Sequence, residues 1–393
     1  MRSRSAVTRF LTVSLAMLTS STVTRPAWSI ARGSSPLMFG WSNAPERISH
    51  SLDEMLRLRM LAIAAGYEDA DDCDRLRDDP VFKMAVGRLP ESGEALCSQP
   101  TMSRLENTPG KVAIARMMAA MIEQFCASYA RAPRAIVLDI DDTLDRVHGN
   151  QQLALFNAHY DERCFLPIHI YEGMSGKLVT TILRAGRTPN GQEVRTVLKH
   201  VIKRIRQHWP LVSIVVRGDS HYGRDEAMTW CEANDVAYIF GLAGNATLAY
   251  MTEPVADELR ARRATYDAEK LRRCCALRYG AQSWPAQRHV VARVEATRLG
   301  LDIRYIVTSL AGTPEHLYES VYCARGQAEN YIKLHKMQLA SDRTSCRDPR
   351  ANQMRMRAAP STTRAAILMS RRRSVVNAAR RSGERCGAAA RSV

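Results

Sequence analysis

RAIVLDIDDT, residues 134–143, is the stretch whose reading decides the fold. It begins directly after Pro133 as an apolar β run and ends on carboxylates. Asp139 and Asp141 are two residues apart and therefore share one face of the strand. Carboxylates at a strand end are natural ligands for Mg²⁺, which prefers oxygen. Downstream, RCFLPIHIY (163–171) and KLVTTIL (177–183) are two further β runs, separated by short Gly-containing turns. Residues 191–209 carry helical periodicity through Val194, Val197, Leu198, Val201, Ile202 and Ile205. LVSIVV (211–216) is a buried strand that ends at Arg217-Gly218-Asp219; 223–233 is a helix and 236–242 another strand.

The resulting order, β-β-β-α-β-α-β, predicts an α/β fold with a ribonuclease H-like core. Residues 246–273 are expected to be helical, 289–297 and 301–308 to form a hairpin, and 314–339 to form one long helix. Upstream, SLDEMLRLRMLAIAA (51–65) has a Ser N-cap, early acids and helical spacing. With three further helical stretches it predicts a helical module over 47–130. The catalytic core is expected over 131–245 and 303–345, with 246–302 as an insertion before the last catalytic helix.

D-x-D-x-T at 139–143 is, alone, the nucleophile motif of haloacid-dehalogenase-type phosphatases, with Asp139 and Asp141 as the working acids. That alternative needs the first strand to feed a βα crossover, and two β runs follow instead. It also leaves a third acidic motif without a role. On the helix around 321–337, Tyr322, Arg325, Glu329 and Lys336 fall near about 0°, 300°, 340° and 320° at 100° per residue, on one face. An acid flanked by Arg, Lys and Tyr on one stripe suits a metal ligand beside a phosphate backbone.

On these residues the chain resembles bacterial insertion-sequence transposases of the DDE type, within them the transposase DDE domain, group 1. Asp141 in IDDT matches the family's first acid, favoured over Asp139 and Asp142 by its spacing to Thr143, Asp219 in RGDSHYG the second, and Glu329 in CARGQAEN the third. Tyr322, Arg325, Glu329 and Lys336 match its Y-R-E-K signature. HGNQQ (148–152), FNAHYD (156–161), WCEAN (230–234) through FGL (240–242), and SQPTMSRLEN (98–107) fit as well. The resemblance covers residues 47–354. It implies cleavage of transposon ends and strand transfer into target DNA, with a hairpin intermediate as one route. It further implies two Mg²⁺ ions, which Mn²⁺ can replace, held by Asp141, Asp219 and Glu329. Tyr322, Arg325 and Lys336 would meet DNA near the scissile bond, and Arg104 is one candidate for end recognition. Double-stranded DNA, as element ends and target, is the expected partner, bound by a homodimer at the cytoplasmic nucleoid, with no membrane.

The charge distribution divides the chain. Of the net +16 over 393 residues, residues 1–45 contribute five Arg and no acid, and 355–393 ten Arg and one Glu, leaving +2 for the body. The basic ends attract acidic partners in general, so any nucleic-acid function of the body must rest on its motifs. The stretch from Arg2 to Ala31 imitates a signal peptide, a spurious one, and the leader 1–46 is expected to be disordered. Ten Cys without a C-x-x-C pair fit a reducing compartment and no zinc ribbon. Beyond Asn352 the family continues with an apolar helical region, whereas this chain turns Arg- and Ala-rich, as out-of-frame reading of a GC-rich gene would give. The expectation for 355–393 is a disordered, frameshifted tail and hence a degenerate copy. A non-catalytic DNA-binding remnant is the remaining alternative.

Overall fold

The computed structural model describes residues 49–147 and 149–358; the leader, His148 and the tail beyond Ala358 lie outside the described residues. The chain divides into two compact units. One comprises the chain up to Gln124, Arg146–Gln152 and the chain from Leu334 on; the other comprises Phe125–Asp145 and Leu153–Lys333.

The first unit is helical: α1 (Leu52–Ala64), α2 (Cys73–Leu76), α3 (Pro80–Val86), α4 (Gln99–Asn107) and most of α5 (Lys111–Ala127). The caps follow from the residues that flank them. Ser51 accepts from the Glu54 amide, and Asp79 accepts from Val81 and Phe82 just ahead of Pro80 at the first helical position. Gly87 ends α3 at φ 93°, where a side chain would be strained. The apolar stripes meet at Met55, Leu58, Phe82, Met102 and Leu105. Within that core Arg59 is 1% exposed, donates to Glu106 at 2.6 Å, and satisfies its other nitrogens on the carbonyls of Tyr67 and Glu68. A buried guanidinium persists only when satisfied in this way.

The same unit contains α10 (Pro349–Ala358). Met354 packs into the core, and buried Asn352 bonds both the amide and the carbonyl of Cys346. The helix runs through Arg355–Ala358, four residues that sequence reading assigned to the tail. Arg355 pairs with Asp69 at 3.2 Å, and Arg357 donates to the Ile114 carbonyl. Burial pushes the Arg357 guanidinium down to about 9. Two guanidiniums thus occupy buried positions where an apolar helix face would pack without desolvation cost.

The second unit is built on an eight-stranded sheet in the order β6 (Lys177–Ile182), β5 (Ile168–Glu172), β1 (Ala135–Asp142), β7 (Ser213–Gly218), β8 (Val236–Leu242), β11 (Gly300–Thr308), β10 (Arg288–Thr297), β9 (Lys270–Tyr279). Its first part is a meander of β1 (Ala135–Asp142), β5 (Ile168–Glu172) and β6 (Lys177–Ile182). Then follow α6 (Gly191–His208), β7 (Ser213–Gly218), α7 (Asp225–Glu232) and β8 (Val236–Leu242). β1, β7 and β8 are parallel and β5 is antiparallel to β1. A meander followed by two crossovers, in the order third-second-first-fourth-fifth, is the ribonuclease H-like arrangement that the sequence predicted. Ile136, Leu138 and Ile140 of β1 and Val194, Leu198, Val201, Ile202 and Ile205 of α6 are all buried. α6 starts in a complete capping box between Asn190 and Glu193.

Three expectations are corrected. The run 163–171 is not one strand: it breaks at Leu166-Pro167 into β4 (Glu162–Phe165) and β5, because Pro has no N–H to give a ladder. β4 instead joins a small sheet, β2-β4-β3, with β2 (Asp145–Arg146) and β3 (Leu155–Asn157). The helix expected over 246–273 ends earlier. α8 (Ala246–Tyr266) stops at Asp267, whose φ of 42° is left-handed, and β9 (Lys270–Tyr279) follows. Pairing along the whole of β10 (Arg288–Thr297) outweighs local helix preference there. β11 (Gly300–Thr308) pairs antiparallel with both β10 and β8. Finally, 314–339 is not a uniform α-helix, as described below.

One pH dependence is built into α9 (Gly326–Leu339). His335 is 3% exposed, and burial, with Lys336 next to it, lowers its pKa to about 4. The folded state keeps the ring neutral, while the unfolded chain takes up a proton near pH 6.5. This contribution is therefore complete above about pH 6.5 and lost as pH falls toward 4, by about 3 kcal/mol in all. Urea midpoints at pH 7 and pH 4.5 should differ less in His335→Leu than in the parent; equal differences would refute the assignment.

Candidate active site

β1 and β7 are parallel neighbours, so their C-terminal ends reach the same edge of the sheet and deliver Asp141 and Asp142 beside Asp219. The pairing also sets Asp139 opposite Arg217. Arg217 grips Asp139 with Nε on Oδ1 at 2.6 Å and a second nitrogen on Oδ2 at 2.8 Å, and gives its third to the Val321 carbonyl at 2.8 Å. Both side chains are buried. Asp139, the acid a phosphatase would use as nucleophile, is thus closed in a bidentate ion pair.

Asp141 is 7% exposed and meets Arg325 at 3.1 Å. The same guanidinium reaches Glu329 at 3.5 Å. Burial pushes Asp141 up to about 7; Arg325 opposes this, while Asp219, Asp142 and Glu329 reinforce it. Asp141 and Glu329 are thus contacted by one arginine, and Asp219 lies within electrostatic reach of Asp141. Glu329 is 64% exposed, so its carboxylate is accessible from solvent.

Asp142, one residue on, faces a different set of partners. It accepts from His221 Nδ1 at 3.1 Å and from the Tyr222 hydroxyl at 3.0 Å. His221 in turn donates its amide to Asp219 at 2.9 Å, and its ring pKa is raised chiefly by the bond to Asp142. Among the described residues, the donor atoms that lie within 4.8 Å of one another belong to Asp142, Asp219 and His221. This set shares only Asp219 with the expected trio. The Asp142 network was not anticipated, although HY directly after the second acid offered the necessary donors. Four carboxylates set against Arg325 and one imidazole leave an excess of negative charge and oxygen ligands, a donor set that fits a hard divalent cation.

The segment that carries the third acid changes its winding. His316–Tyr322 is π-helical, Cys323–Arg325 is a 3₁₀ turn, and α9 follows. In a 3₁₀ turn residues three apart eclipse, so Arg325 lies over Tyr322, its guanidinium carbon 5.8 Å from the ring. A uniform 100° per residue places these two about 60° apart. The Tyr322 hydroxyl comes so close to Gly241 that an added Cβ would sit 2.8 Å from it. A cavity of about 470 Å³ opens beside Asp219, Tyr322 and Arg325 and is walled by Arg293, Arg304 and Tyr318. Lys336 lies on α9 beyond Lys333, in the first unit, as does Arg104 on α4, whose guanidinium meets Thr101 at 3.1 Å.

The model of the family "Transposase DDE domain group 1" matches residues 37–383. The chain belongs to that family. It is accordingly a DNA transposase, an enzyme of phosphoryl transfer on DNA that works with divalent metal and binds DNA. Among solved structures the chain is similar to a piggyBac transposase in a synaptic complex with hairpin DNA, at 9% identity over 93% of this chain and 76% of that one, TM-score 0.45. It is also similar to the Mos1 transposase in a paired-end complex with the left transposon end, at 11% identity over 54% of this chain and 63% of that one, TM-score 0.19. No curated protein sequence matches it. Among the described residues no helix is long and apolar enough to cross a membrane.

Proposed function

We propose that Asp141, Asp219 and Glu329 are the catalytic acids of this transposase and hold two Mg²⁺ ions, with Asp142 and His221 supporting them. The observation that carries this reading is the one guanidinium, Arg325, gripping Asp141 and Glu329 while Asp219 raises the pKa of Asp141. When bound, such metals activate the attacking oxygen and steady the leaving one in an in-line displacement. The chain's own part is orientation. Arg325 has a fork suited to a phosphate, and its guanidinium lies over the Tyr322 ring. Lys336 adds a point charge on the same helix, and Arg104 in the helical module takes part in end recognition. A homodimer bound to element ends at the nucleoid completes the reading. The phosphatase alternative is disfavoured by the closed Asp139–Arg217 pair.

Metal removal is the direct test. With duplex DNA carrying the element's ends, purified protein should nick and then join the 3′ end to a second duplex only with Mg²⁺ or Mn²⁺ present. Chelation should stop both steps and leave DNA binding measurable. DNA binding without any metal-dependent cleavage would instead identify a remnant.

A further inference from the structure

The outer face of α6 has the composition of a binding surface. At 100° per residue, Arg195, Arg206, Lys199, Gln192 and Lys203 fall within an arc of about 80° that flanks the buried stripe of Val194, Leu198, Ile202 and Ile205. Arg195, Lys199 and Lys203 are exposed. The helix has a single acid, Glu193, and it is engaged by Arg184 at 2.9 Å and Arg187 at 3.0 Å. Among the described residues neither Lys199 nor Lys203 makes an ion pair. α8 shows the contrast: its exposed Arg260 and Arg262 are paired with Asp257 and Glu258 on the same helix. The α6 stripe therefore presents net positive charge, where α8 presents a neutralised one.

Its position is set by strand register. Ile168 lies opposite both Asp142 and Ile182, so β6 leaves the sheet at the edge where the acids stand. α6 then runs back toward Ser213, which pairs with Ala135 at the far end of β1. Arg195 is thus at the acid-bearing end, and Lys203 is about 12 Å further away along the axis. Arg195, Lys199 and Lys203 recur every about 6 Å over a length of about four base pairs of duplex.

We infer that this face of α6 is a sequence-independent DNA track, on which Arg195, Lys199 and Lys203 each neutralise one phosphate of the duplex whose scissile bond reaches the acids. Contacts of this kind position DNA without reading it. The test is the salt dependence of binding, in the full chain, to a duplex that lacks the element's ends. Removing three phosphate contacts in Arg195→Ala/Lys199→Ala/Lys203→Ala should flatten the slope of log K against log salt by about 2.7, so that the affinity lost between 50 and 200 mM salt shrinks about 40-fold. Preference for end sequence over unrelated sequence should stay as in the parent. Arg260→Ala/Arg262→Ala, the same kind of change on the neutralised face, should leave the slope alone. In the unaltered protein, duplex DNA should also protect Lys199 and Lys203 from acetylation. An unchanged slope in the triple variant, an equal change in the α8 control, or unprotected lysines would overturn the inference.

Discussion

Replacing Asp219 or Glu329 by Ala is expected to reduce DNA cleavage about 1000-fold or more, since metal-borne charge stabilisation is worth several kcal/mol and each 1.36 kcal/mol is tenfold in rate. DNA binding should persist or tighten, because each substitution removes a negative charge that faces phosphate. Asp142→Asn and His221→Ala should cost less, about 10- to 100-fold, if they act by orienting the acids. The order of effects at Asp141 and Asp142 is informative in itself. A greater loss at Asp142 would move the first ligand to the residue that shares the 4.8 Å cluster with Asp219 and His221. Single-turnover cleavage of an end-bearing duplex, with affinity measured in parallel, separates these outcomes. A Glu329→Ala variant that cleaves like the parent would remove the third acid from the proposal.

Much of this site was legible in one dimension because its parts sit where period and strand ends can be read. IDDT ends a β run, RGDS ends another, and the order of elements between them fixes the strands as parallel neighbours. Two kinds of feature were not legible. The first is winding. Nothing in HLYESVYCAR announces a π turn followed by a 3₁₀ turn, and these place Arg325 over Tyr322 rather than to one side of it. The second is division of labour among adjacent acids. Asp139, Asp141 and Asp142 look alike in sequence, yet each is given a different partner by residues far along the chain: Arg217, Arg325, and His221 with Tyr222. The pairing of Asp139 with Arg217 had a signal, since each lies two residues ahead of the acid at its strand's end. Register between the strands was needed to use it. In the first unit, Arg355 and Arg357 read as tail because charge implies solvent, whereas the helix continues and buries them.

The Asp139–Arg217 pair carries the second large effect. Asp139 is 1% and Arg217 6% exposed, so neither charge has water to turn to. Burial pushes the Asp139 carboxyl up, and the hydrogen bonds and charge of Arg217 hold it down. Arg217→Ala would leave the carboxylate buried without a partner and free the Val321 carbonyl, immediately ahead of Tyr322. Breaking a buried pair from one side costs about 3–5 kcal/mol, against a domain's total of about 5–15. The unfolding midpoint should fall steeply, and cleavage with it, because the turn that holds Tyr322 and Arg325 loses its anchor. Gly173 packs so closely that an added Cβ would sit 2.5 Å from the Arg217 guanidinium, leaving little room for the pair to rearrange. Removing both charges together has a different consequence. Asp139→Leu/Arg217→Met exchanges the ion pair for apolar groups of similar volume, a change that is often neutral or stabilising. The double variant should therefore be more stable than Arg217→Ala alone, by an interaction energy that a double-mutant cycle reads directly. It should also retain cleavage, though below the parent's, since Asp139 touches neither metal nor phosphate in the proposed mechanism while the Val321 carbonyl still lacks its Arg217 donor. A double variant that folds like the parent but has lost all cleavage would place Asp139 among the reacting groups.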